Sequence, residues 1–148
     1  MSEAGGERLA DPLPKVTEAE IARLADAFYL RIRAHPTLAP VFLAAIGESE
    51  AEWRAHAAKL CRFWSSVMRR SGAYHGDPYS VHMRLPGLTL EMFGEWLTLF
   101  DATCADLFAP EMAAAFSERA HRVARSLRMG LFERPALVLL PDSKSGMC

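Results

Sequence analysis

Two four-residue strings, Thr17-Glu18-Ala19-Glu20 and Ser49-Glu50-Ala51-Glu52, constrain this chain more than any other feature. In each, a hydroxyl residue stands three positions before a glutamate and just ahead of apolar side chains at helical spacing. The hydroxyl can accept a hydrogen bond from the glutamate's backbone N–H while the carboxylate reaches back to the cap residue, so each string starts a helix. Behind the first, Ile21, Leu24, Ala25, Phe28 and Ile32 recur at the spacing of one helical face. His35-Pro36 ends that helix, because the residue before a proline is pushed out of the α region. Behind the second, the stripe is Trp53, His56 or Ala57, Leu60, Cys61, Trp64, Val67 and Met68. Gly72 is expected to stop it, and Gly76-Asp77-Pro78 forbids its immediate resumption.

Residues 79–85 allow only a turn or two of helix before Pro86-Gly87. Thr89 is expected to cap a third long helix with Met92, Phe93, Trp96, Leu97, Phe100 and Cys104 inward. Pro110, well placed in a first helical turn, begins a fourth with Met112, Phe116, Val123, Ala124 and Leu127 on one side. No stretch alternates with period two, so the chain is all-α. Residues 1–16 carry Gly/Pro punctuation and no helical period, which predicts a mobile leader; 17–133 form the folded domain and 134–148 a loose tail.

The chain has 148 residues, enough for one domain with a real interior. Seventeen basic against eighteen acidic side chains offer no broad field for nucleic acid or an anionic membrane. The longest purely apolar run, Ala136 to Leu140, is far too short to span a bilayer. Cys61, Cys104 and Cys148 form no CxxC, which argues against a disulfide scaffold or zinc ribbon. The start of the chain has no secretory pattern, so a cytoplasmic home is expected.

Several stripe positions carry groups that a plain helical bundle has no need of. Tyr29 follows Phe28 at the edge of the first stripe, and His56 points where Trp53 and Leu60 point. Trp96 sits mid-stripe with an indole N–H that needs an acceptor if buried, and His82 stands between two breakers. Each has an ordinary core reading. Together they suit one apolar pocket with a few convergent polar groups, walled by Phe42, Phe63, Trp64, Phe93 and Phe100. A lone axial imidazole between apolar walls is how a protein holds haem iron. The histidines at 35, 56, 75, 82 and 121 are never three or four apart, which sets aside helical di-iron and zinc sites. No GxSxG is present, and Cys61 on a buried stripe is an inert thiol.

The ordered series Phe28-Tyr29, His35-Pro36-x-Leu38…Phe42, Trp53-x-x-His56, Phe63-Trp64, Tyr74-x-Gly76-x-Pro78-x-x-x-His82 and Phe93-x-x-Trp96-Leu97 resembles the third group of the truncated haemoglobins. The resemblance covers roughly Thr17 to Glu133. The only Gly-Gly is Gly5-Gly6, in the leader, whereas the first two groups carry glycine-pair hinges.

The resemblance implies a truncated globin: a two-over-two sandwich in which the helices of Tyr29 and His56 face those of Trp96 and Phe116 around one haem b (iron protoporphyrin IX). It makes His82 the proximal ligand through Nε2, its other nitrogen donating to a nearby carbonyl. Tyr29 and Trp96 would donate to a diatomic ligand, dioxygen, nitric oxide (NO) or carbon monoxide (CO). His56 would be a gate or third polar neighbour, placed to bind ferric iron itself when no ligand is present. Phe28, Phe42, Leu60, Phe63, Trp64 and Phe93 would line the haem pocket. Lys59, Tyr74 and Arg84 would reach its propionates, although for Lys59 a plain solvated-face reading stands equally open. These residues do not decide between storage, sensing and turnover of NO or peroxide, the last of which needs a reductase. A monomer is the favoured state. The rival reading is a non-haem helical interaction or regulatory module with structural histidines.

Overall fold

A computed structural model describes residues 15–83 and 85–133. Arg84, residues 1–14 of the expected leader and all of the expected tail lie outside the described residues. Among the described residues six α-helices run in chain order: α1 (Glu18–Arg33), α2 (Leu38–Ile46), α3 (Glu50–Arg69), α4 (Pro78–Met83), α5 (Leu90–Leu107) and α6 (Pro110–Arg128), followed by a π-helical turn, Met129–Glu133. Among the described residues every regular element is helical. None is long and apolar enough to cross a membrane.

Both capping boxes form. Thr17 Oγ1 accepts the Glu20 N–H at 3.1 Å while Thr17 N–H donates to the Glu20 carboxylate at 2.9 Å, and Ser49 and Glu52 repeat the pattern at 3.1 Å each. Val16, the last residue of the expected leader, is buried, as is Ile21 four positions into the helix. They occupy the two positions of a hydrophobic staple, which fixes the angle at which the chain enters α1.

Three local details differ from expectation. The helix α2 has no stripe to announce it, because its sequence LAPVFLAAI is short and almost uniformly apolar. It is started instead by His35, whose Nδ1 accepts the N–H groups of Thr37 and Leu38 at 3.2 Å each. Pro40 sits in its first turn, where a missing N–H is harmless. The second difference lies at the end of α3, which stops at Arg69. Arg70, not Gly72, takes the left-handed cap at φ 59°. Ser71 is drawn back onto α3 by a hydroxyl–hydroxyl hydrogen bond to Ser65 at 2.7 Å, so the reversal comes before the glycine. Finally, Thr89 occupies the N-cap of α5, but its side chain makes no cap hydrogen bond.

The helices α1 and α3 pack as one pair and α5 and α6 as the other, with α1 crossing α5 to join them. This is the two-over-two arrangement that the resemblance implies. Around the crossing, α2 touches α1, α3 and α5, while α4 leans on α6 and the π turn. Phe28, Phe100 and Phe116 are fully buried. Phe100 is the hub: Trp96 and Trp64 both stack on it, with centroids 5.1 and 5.2 Å away, and Phe28 meets it edge-on at 5.2 Å. Arg31 ties α1 to α5 through Thr103 Oγ1 (3.1 Å) and Asp106 (2.8 Å). Arg69 ties α3 to the start of α1 through Glu18 (3.0 Å) and the Val16 carbonyl.

Because both caps satisfy otherwise orphaned N–H groups, Thr17→Ala and Ser49→Ala are each expected to lower stability by about 1 kcal/mol in urea unfolding. Thr89→Ala should fall well below that figure, since its hydroxyl has no cap bond to lose.

Candidate functional site

Between the helix pairs lies a cavity of about 210 Å³. Phe28 and Tyr29 reach it from α1, Phe42 from α2, and His56, Lys59, Leu60, Phe63 and Trp64 from α3. Tyr74 comes from the segment before α4, His82 from α4, and Phe93 and Trp96 from α5. Every described residue singled out for the pocket thus lines one space except Phe100, which was expected in its wall and is instead fully buried in the core behind Trp64 and Trp96. Arg84 lies outside the described residues.

Other lining residues were not singled out. Leu38, Val41 and Ile46 belong to α2, the helix without a stripe, and their inward face needed that helix to be recognised first. Val123, Ala124 and Leu127 were visible as the α6 stripe, but the same periodicity serves a core and a pocket wall alike.

His82 is fixed by its own helix. The Pro78 carbonyl, one turn earlier, accepts a hydrogen bond from Nδ1–H at 2.6 Å. That contact settles the tautomer and leaves Nε2 with the lone pair, on a ring that lines the cavity. Phe93 lies near-parallel to the imidazole at 6.4 Å and limits its rotation.

Tyr29 is buried, with its ring edge-on to Trp53 at 5.2 Å and beside His56 at 5.6 Å. Burial pushes its phenol well above the usual phenol range, and the Cys61 thiol beside it adds to the effect. Tyr29 is therefore a neutral O–H donor. Trp96 is held between Phe28, edge-on at 5.2 Å, and the face of Phe100. Among the described residues neither the Tyr29 O–H nor the Trp96 Nε1–H has an acceptor. Burial, aided by the Lys59 ammonium, lowers the pKa of His56, so that imidazole is neutral as well. Lys59 is exposed at the rim of the cavity, and Tyr74 packs edge-on against Phe63 at 5.2 Å.

The remaining histidines and thiols stand elsewhere. His35 starts α2, and His121 pairs with Asp101 at 2.8 Å on the outer face of α5 and α6. Burial raises the Cys61 thiol, and it pushes Cys104 up to about 12 with help from Asp101, so both are inert at neutral pH. Among the described residues no three His, Cys, Asp or Glu side chains come together to hold a metal ion. The cavity accordingly suits a flat apolar group that supplies most of a metal's ligands itself and takes one imidazole from the protein.

The chain is 33% identical over 118 residues to the group 3 truncated hemoglobin ctb of Campylobacter jejuni, a match spanning 80% of this chain and 93% of that protein. The chain belongs to the group III truncated haemoglobins. The crystal structure of a group III truncated hemoglobin from Campylobacter jejuni superposes on this globin with a TM-score of 0.77 at 32% identity, covering 82% of this chain and 96% of that one. No family model matches the chain.

The environment of His56 has a measurable consequence. Its folded pKa lies below the ordinary histidine value of about 6.5, so the unfolded chain takes up the proton first as pH falls. The contribution is complete above the unfolded value and is lost as pH drops below it towards the depressed folded value. In urea titrations from pH 8 to pH 5, the stability difference between His56→Gln and the parent should be flat above pH 7. Below that it should shift in favour of the variant, which lacks the acid-sensitive group.

Proposed function

We propose that this truncated haemoglobin binds haem b in the cavity and uses it to bind dioxygen, nitric oxide and carbon monoxide. The observation that carries this reading is the state of the polar groups. One imidazole has its Nδ1 tied to a carbonyl and its Nε2 untied, and it shares an apolar cavity with two donors that have no acceptor among the described residues. Both donors belong to residues that line the apolar cavity, so a ligand held there can accept from them.

When bound, haem supplies an iron site at which a diatomic ligand takes on partial negative charge. His82 would hold the iron through Nε2, and the Pro78 carbonyl would keep the ring oriented and its basicity raised. Tyr29 O–H and Trp96 Nε1–H would donate to the ligand. Burial keeps the phenol protonated, so it remains a donor at any physiological pH. His56, neutral and half-buried beside Tyr29, would act as a gate or third polar neighbour. Lys59 and Tyr74 would meet the propionates at the rim, joined by Arg84 as the family resemblance implies. The apolar wall excludes water, and a hydrogen bond in a dry pocket is electrostatically stronger than one in water. Two donors would therefore slow ligand escape. That retention suits redox work such as NO dioxygenation or peroxide chemistry, supported by a reductase, better than simple delivery.

Absorption spectra of the purified protein, ferric, ferrous and ferrous with carbon monoxide, test the reading directly. A Soret band that shifts on reduction and again with carbon monoxide, and that collapses in His82→Ala, is expected. Loss of bound haem should also lower the melting temperature, because a ligand that binds only the native state stabilises it by mass action. Absence of stoichiometric haem uptake, with His82→Ala behaving like the parent, would overturn the reading in favour of a non-haem helical module. Tyr29→Phe and Trp96→Phe should each speed dioxygen dissociation by up to about tenfold, the range open to one hydrogen bond.

A further inference from the structure

Tyr29 is a buried residue of the cavity wall, yet among the described residues nothing hydrogen-bonds its hydroxyl. Where that O–H points depends on how the ring is held. Two rings of α3 pack against it, three residues apart and therefore on one helical face: Trp53, edge-on at 5.2 Å and 88°, and His56 at 5.6 Å and 31°. His56 is half-buried and has no hydrogen bond of its own among the described residues, so it is a soft wall. Trp53 is a hard one.

Trp53 is buried, and two contacts fix it. Its Nε1–H donates to the Gly47 carbonyl at 2.8 Å. The Arg33 guanidinium lies over the indole 4.8 Å from the ring centroid, and Glu50 holds that guanidinium with two hydrogen bonds of 3.3 Å. Gly47 is itself locked in place. Its φ of 121° disfavours a side chain, and a Cβ there would stand 2.2 Å from the Glu52 carboxylate that closes the Ser49 capping box. The turn that starts α3 thus presents its carbonyl to the indole. Trp53 does not line the cavity itself, and a bulky apolar side chain would serve as core without these ties.

We infer that Trp53, clamped by the Gly47 carbonyl and the Arg33–Glu50 pair, is the positioning residue that aims the Tyr29 hydroxyl at the ligand in the cavity. The inference rests on the reading of Tyr29 as a ligand donor. Trp53 touches neither haem nor ligand; it acts through Tyr29 alone. Arg33 and Glu50 extend the same control to the surface, since both are partly exposed.

The test compares the haem-loaded parent with Tyr29→Phe, Trp53→Leu, Trp53→Phe, Arg33→Gln and the double variant Tyr29→Phe/Trp53→Leu. Two readouts are taken: the C–O stretching frequency of the carbon monoxide complex, which reports hydrogen bonding to the ligand, and the dioxygen dissociation rate. Trp53→Leu should move the stretch towards the Tyr29→Phe value and speed dissociation about three- to tenfold. In the Tyr29→Phe background Trp53→Leu should add nothing, because the group it aims is gone. Trp53→Phe keeps an aromatic wall but loses the tie to Gly47, so it should fall between. Arg33→Gln, a surface change that leaves the core intact, should move the stretch the same way by a smaller amount and speed dissociation about twofold. If Trp53→Leu fails to fold, Trp53→Phe and Arg33→Gln decide the matter. An unchanged stretch in the folded Trp53 and Arg33 variants overturns the inference while Tyr29→Phe still responds, and so does a Trp53 effect of equal size without the Tyr29 hydroxyl. A silent Tyr29→Phe removes the ligand-donor reading and this inference with it.

Discussion

A domain of this size that keeps a cavity of about 210 Å³ between its helix pairs works against the tendency of protein interiors to close up to crystal-like density. What prevents collapse is a set of rigid rings propping one another. Phe100 accepts Trp64 and Trp96 on near-parallel faces and Phe28 on its edge, and all four belong to the helices that bound the cavity. Aliphatic side chains in those places could change rotamer and fill the gap. Flat, buried aromatics cannot do so without giving up several ring contacts at once. The space and the orientation of Trp96 therefore have a common cause. The same stack that keeps α1, α3 and α5 apart also holds the indole N–H where no protein group meets it.

The polar groups of the cavity obey a division of labour that follows from where the backbone can reach. His82 lies on α4, only six residues long, and its imidazole is tied to the carbonyl one turn earlier. Tyr29 and Trp96 instead sit in the long helices α1 and α5. Their donors have no such carbonyl at hand, and burial keeps Tyr29 protonated. One residue has its hydrogen bond supplied internally, and two are left with donors to offer.

Most of this was legible in the sequence because the signals were redundant. The starts of α1 and α3 were written twice, in the capping boxes and in the stripes behind them, and both boxes form. Pro110 at the head of α6 and the breakers around α4 left little freedom in placing those helices. What escaped had no local signal. The chain enters α2 through a histidine acting as a cap, a role usually filled by Ser, Thr, Asp or Asn. Its body is apolar on every side, so periodicity could not separate it from a loop under the core. The left-handed Arg70 was hidden for a different reason. A glycine two residues later was the better local candidate, but the buried Ser65 hydroxyl, which donates to the Glu18 carboxylate of α1, also bonds Ser71 and pulls the reversal forward. Trp53 was read as core and is buried as expected, but its ties to Gly47 and Arg33 depend on a turn and a neighbouring helix that periodicity does not describe.

These particulars bear on how such a fold tolerates change. The outer ties between helices, Arg31 with Asp106 and Arg69 with Glu18, are partly exposed ion pairs, and pairs of that kind contribute little each. The inner aromatic stack carries far more burial and cannot be altered in one ring without freeing the others. Substitutions on the outer faces therefore leave the cavity unchanged, while a change at Phe100 reaches Trp96, Trp64 and Phe28 together. Arg33 is the exception among surface residues, since its guanidinium bears on Trp53 and through it on Tyr29. A charged residue on the outer surface, held by Glu50, thus stands two ring contacts from the cavity wall.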